Sequence, residues 1–128
     1  RAAGFGDLET EGLALLSLGM CALMQADPDA ALVRLTRGRT LLQTAGNQLP
    51  TGIAWAYCAI ANAALGDVPE AQEAREEAAG LLPDSLPALQ VLLVVVDSAI
   101  DGSPAPAELS PLSFVRLAQR ALGRLTAR

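Results

Sequence analysis

The residue types that carry most protein chemistry are scarce in this chain. No histidine occurs among its 128 residues, which removes the commonest general base and metal ligand. Cys21 and Cys58 show no close CxxC-type pairing, so neither a redox pair nor a zinc site is expected. Both fall inside apolar helical patterns and read as small core residues in a reducing compartment, a disulfide between them being the alternative. Gly4-Phe5-Gly6 follows no strand and leads to no lysine, so it does not form a phosphate-cradling loop. Glu70, Glu73, Glu76 and Glu77 form the densest carboxylate group, which could be drawn as a metal or acid–base cluster. Their helix-surface spacing, the missing histidine and their place towards a helix N-terminus make them a solvated flank instead. Catalysis, a bound metal and a cofactor are therefore not expected.

What remains is chemistry of recognition. Arg116, Arg120, Arg124 and Arg128 recur at every fourth position and lay a basic stripe along a terminal helix, opposite Leu112, Val115, Leu122 and Leu125. The stripe either receives an acidic or phosphate-bearing partner or is the wet face of an amphipathic helix. Arg34, Arg37 and Arg39 are expected to point outward in the same way. All nine cations are arginine and the net charge is −5. A chain without a dense basic face is a poor nucleic-acid binder, because that affinity rests on neutralising phosphates.

The elements that position these residues follow from composition and period. Apolar residues make up 52% of the chain but aromatics only 3%. The excess is alanine and leucine, which favours helices in close contact over a sheet. Apolar positions step by three and four, predicting helices over about 8–25, 28–44, 51–65, 68–82, 86–100 and 112–126. Asp27 and Asp67 suit N-caps, Pro28 a first helical position, Gly46 and Gly66 left-handed stops, and Asp84 or Ser85 the cap of the fifth helix. The proline-rich stretch 101–108 reads as a longer loop. The run from Leu86 to Ile100 is too short to cross a membrane, which takes roughly 20 residues. No signal peptide opens the chain, and since its first residue is Arg1 rather than methionine, a targeting signal elsewhere in a longer protein stays open.

Forty residues apart, the chain repeats itself. Gly6-Asp7 returns as Gly46-Asn47, Gly12-Leu13-Ala14 as Gly52-Ile53-Ala54, Ala26-Asp27 as Gly66-Asp67, and Leu41-Leu42 as Leu81-Leu82. A fixed period of this kind marks an architecture whose units cannot bury their apolar faces alone.

In the second unit Trp55, Ala71, Ala78 and Pro83, with the Gly66-Asp67 turn, stand where a tetratricopeptide repeat places its tryptophan, two small alanines and closing proline. The unit resembles that family. The first unit matches through Leu18-Gly19, Ala31 and Leu35, with Leu15 in the tryptophan position and Gly38 in that of the second alanine. Asn62 replaces an aromatic, Arg75 replaces a large apolar residue, and the family period is about 34 residues rather than forty. Long alanine-rich units with an Ala-Gly-Asn turn look like the tetratricopeptide-like arrays of large bacterial signalling proteins and transcription regulators.

The resemblance implies an all-α, right-handed superhelical stack of antiparallel helix hairpins, an α-solenoid of about six helices. It would span 1–128 as one domain with units at about 6–45, 46–83 and 84–128. It implies a cytoplasmic interaction or scaffolding module that takes a protein or peptide in a concave groove lined by the first helix of each pair. Tyr57, Asn62, Arg116, Arg120 and Arg124 are its candidate partner-binding residues. A ligand- or peptide-sensing domain of a transcription regulator, or an oligomerisation segment built on the apolar run Val91–Val96, are the alternatives.

Overall fold

The computed structural model describes residues 5–104, 110 and 112–126, and among these every regular element is helical. Helices α1 (Phe5–Met24), α2 (Pro28–Thr44), α3 (Gln48–Ala64), α4 (Val68–Leu81), α5 (Pro87–Asp101) and α6 (Ser113–Thr126) follow in order. Residues 105–108 of the loop stretch and Arg128 lie outside the described residues.

The forty-residue period is a period of contacts as well as of letters. Asp27 accepts a hydrogen bond from the Ala30 N–H at 3.2 Å, and Asp67 accepts one from Glu70 at 3.4 Å, so both second helices start on the same side-chain cap. Gly12 admits Leu42, whose Cγ would stand 2.8 Å from an added Cβ. Gly52 admits Leu82 in the equivalent place, at 2.9 Å from Cδ2. Gly19 against Leu35 completes an antiparallel register between α1 and α2, with α1 close enough to α2 that no methyl group fits between them.

The expected starts of α3 and α5 are corrected. α3 begins at Gln48 rather than Thr51, because Pro50 falls in the first turn, where a missing N–H costs no helical bond. Neither Asp84 nor Ser85 caps α5; Leu86 holds the cap position without a side-chain bond and Pro87 opens the helix.

The core centres on α3, which touches each of the other helices. Ala54, Ala56, Tyr57, Ala59, Ile60 and Ala61 are all fully buried. α5 lies against α3, α4 and α6. Of its apolar run, Leu92, Leu93, Val95 and Val96 are buried and only Val94 is exposed. The helix offered above as an oligomerisation segment is thus covered by its own chain. Arg75, the arginine in an apolar register, grips Asp97 of α5 with two bonds, at 3.0 and 3.3 Å. It joins α4 to α5 by charge instead of packing. No described helix is long and apolar enough to cross a membrane.

The turns after α1 and α3 share one backbone path with different residues. Gly66 has φ 82° and Ala26 has φ 57°, both left-handed. An L side chain there costs about 1–2 kcal/mol, and an added methyl at Gly66 meets no atom. Gly66→Ala is therefore expected to lower stability by about 1 kcal/mol through backbone strain alone. Ala26→Gly is expected to raise it by about 0.5 kcal/mol after glycine's larger chain entropy is subtracted. Urea denaturation of the two variants checks the opposite signs.

Candidate functional site

α6 folds back onto helices earlier in the chain. It packs against α1, α3 and α5, and among the described residues it touches neither α2 nor α4. Val115, Ala118, Ala121 and Leu122 form its buried stripe, stepping by three and four as an amphipathic helix requires. Gln119, also buried, accepts a 2.8 Å hydrogen bond from the Ser110 backbone N–H, which fixes the entry to α6.

Tyr57, expected on a binding surface, is instead fully buried where α6 meets α3. Its phenol is held far above its ordinary pKa by burial, opposed by a hydrogen bond with the Ala118 backbone. The ring anchors α6 and offers nothing to solvent. Period alone could not show this, since a concave face and a face covered by a sixth helix carry the same apolar spacing.

The arginine stripe divides. Arg116 is half-buried, while Arg120 and Arg124 are exposed and share an open recess with Met24, Gln25 and Ala26 at the end of α1. That end has no basic residue of its own. The carbonyls of Cys21, Ala22 and Leu23 there accept the Gln25, Ala26 and Asp27 N–H groups of the turn, and cations near such a helix end stabilise it by about 0.3–1 kcal/mol through the helix dipole. Asn62 is half-buried and does not line this recess. Its carbonyl accepts the Leu65 and Asp67 N–H groups of the turn after α3. The structure thus brings Tyr57 together with α6 and leaves Asn62 apart.

A second cleft, of about 470 Å³, opens over α3 between α2 and α4, lined by Gln43, Asn47, Thr51, Trp55, Glu76 and Glu77. Arg39, expected to point outward, lies 3.8 Å above the Trp55 ring and donates to the Cys58 sulfur at 3.9 Å. A cation over a tryptophan face contributes about 1–2 kcal/mol when partly desolvated. The pairing of Arg39 with Trp55 was not foreseen, because the two lie on different units. Two of the four glutamates line the cleft, and all four are exposed. Among the described residues no three acidic or thiol groups converge as a metal site would need.

Cys21, expected in the core, is exposed, and Cys58 is buried; both are free. Burial pushes the Cys58 thiol from its ordinary 9.0 up to about 11, against the charge of Arg39 and hydrogen bonds from Arg39 and Thr36.

Three outcomes are expected. Native alkylation at pH 8 modifies Cys21 alone, and Cys58 reacts only after unfolding, as mass spectrometry would register. Because the unfolded Cys58 thiol ionises near 9.0 while the folded one waits until about 11, its contribution to stability is complete below the first value and is lost as pH rises towards the second. Cys58→Ala should flatten that alkaline decline. Separately, Tyr57→Phe removes the bond to Ala118 and is expected to cost about 1 kcal/mol, with amide exchange rising in α6 more than in α2.

No protein-family model, no curated protein and no solved structure matches this chain.

Proposed function

We propose that this chain is a tetratricopeptide-like helical-repeat module, an α-solenoid whose inner face, made by α1, α3 and α5, takes an amphipathic helix from a protein partner. The observation that carries the reading is the seat of α6. That face already accepts one amphipathic helix, through Val115, Ala118, Ala121 and Leu122, so the occupant it suits is known in kind: a small-residue and aliphatic stripe with cations on the far side. α6 is the occupant within the chain, and a partner helix exchanges with it.

The energetics favour exchange. Val115 and Leu122 are the large buried side chains of the seat, worth about 4 kcal/mol together. A helix of 14 residues is marginal on its own in water, so the bound state of α6 rests on few contacts. Free thiols at Cys21 and Cys58 fit a reducing compartment such as the cytoplasm. The carboxylates and the absence of histidine fit a binding role without catalysis. A place in a larger bacterial regulatory protein follows from the family resemblance.

The test is a synthetic peptide of residues 112–126, fluorescently labelled and titrated into the full chain. The tethered α6 competes at an effective concentration on the order of millimolar, so the wild type should bind the peptide weakly. Val115→Asp, placed to unseat the tethered helix while circular dichroism confirms the remaining helices, should tighten binding at least about tenfold. Equal, weak binding to both proteins would refute the reading.

A further inference from the structure

The cleft over α3 has walls of one electrical character. Glu76 and Glu77 bring two carboxylates to it, and no cation is among the residues that line it. Among the described residues Arg37 pairs with Glu11 and Arg75 with Asp97, which leaves both cleft carboxylates without a cation. The polar donors beside them are already committed. Thr51, 2% exposed, donates its hydroxyl to the Asn47 carbonyl at 2.7 Å, and the Asn47 amide donates to Glu9 at 2.7 Å. What these two residues chiefly have left to offer a ligand is acceptor oxygen. α2 and α4 both end at the cleft, through Gln43 and through Gly80 and Leu81, and neither has a basic residue in its last turn. Two helix C-termini face the cleft against the one N-terminus of α3, so the backbone field reinforces the carboxylates.

We propose that this cleft binds a guanidinium cation of the arginine type, free or carried by a peptide. Its aromatic wall is Trp55, whose ring already stacks one guanidinium, that of Arg39, at 3.8 Å. A planar cation with five donors suits a ring, two carboxylates and the oxygens of Thr51 and Asn47 better than a compact ammonium does. A bare metal ion does not suit the walls, since among the described residues no three acidic or thiol groups converge. The volume of about 470 Å³ lies within the range of small-ligand sites, about 300–1,000 Å³, and holds an arginine side chain with the amides that flank it. The site is independent of the α6 seat, because α6 touches neither α2 nor α4 among the described residues.

Trp55 is the single tryptophan of the chain and reports on the cleft directly. N-acetyl-arginine amide, titrated into the full chain at low salt, is expected to change Trp55 emission saturably, with half-saturation at or below about 1 mM. The uncharged citrulline analogue should produce no such change, and the lysine analogue should bind more weakly. Replacing Glu76→Gln and Glu77→Gln together should raise the half-saturation at least about fivefold. Gly80→Leu, at a position where an added Cβ meets no atom, should weaken binding by filling the cleft. Glu73→Gln, exposed on α4 and outside the cleft, should leave binding intact. Butylguanidine carries the same head without the amides: binding as tight as the arginine amide assigns the site to a free guanidine, and weaker binding assigns it to arginine within a peptide. A titration flat in both emission and calorimetric heat up to about 10 mM would overturn the proposal. So would an equal response to the citrulline analogue, or an affinity that the double glutamine variant leaves unchanged.

Discussion

A helix whose middle is buried almost all round has to be covered from nearly every side, and α3 is such a helix between Thr51 and Ala61, where only Trp55 is less than buried. Its small residues let neighbours come close: Gly52 takes Leu82 at a distance that excludes a methyl group, and Ala54, Ala56, Ala59 and Ala61 present almost no side chain. Two neighbours in the chain, α2 and α4, cover part of the surface, and α5 covers more. The side carrying Tyr57 would remain open without α6. Leaving a buried-type aromatic and its apolar surroundings in water would forfeit several kcal/mol. The return of α6 across α1, α3 and α5 is therefore a consequence of how α3 is built, and the phenol is a polar point through which the seat is keyed.

Repetition in this molecule preserves contacts more faithfully than residues. Gly12 with Leu42 and Gly52 with Leu82 are one packing event made twice, and Asp27 and Asp67 are one cap made twice. Where the second unit departs from the first, a neighbour absorbs the change. Arg75 in an apolar register is matched by Asp97. The bidentate pair is partly exposed, with side chains at 31% and 42%, so its energetic worth is small and its geometric role, setting α5 against α4, is the larger one.

Much of the fold was legible in local chemistry. The bounds of α2 follow from Asp27-Pro28 and the stop at Gly46, and the structure places them at Pro28 and Thr44. The existence of α5 and α6 follows from their apolar spacing. What could not be read is what each apolar stripe lies against, because amphipathicity states that a face is covered and not by which element. Tyr57, Cys21 and Arg39 were misplaced for that single reason. Tyr57 was assigned to an open face that α6 closes. Cys21 was assigned the cover that only Cys58 receives. Arg39 was sent to solvent because its partner Trp55 belongs to the other unit. Asn62, half-buried at the end of α3, has a carbonyl role in the turn that any residue could perform.

The inner seat also bears on what kind of binder such a module can be. An interior occupant fixes a threshold: a partner helix gains only the difference between its own contacts and those of α6. Alanines at positions 118 and 121 contribute little area, while Arg120 and Arg124 line the recess at the end of α1. A competitor with larger aliphatic residues at those two alanine positions would meet α3 sooner than α6 does, and close packing around Tyr57 would resist it. On the proposed reading, discrimination by such a face would come from size exclusion at the alanines, and affinity from the large residues at the registers of Val115 and Leu122. The close packing that buries α3 is what would make a helical ligand with small residues in its middle the one that fits.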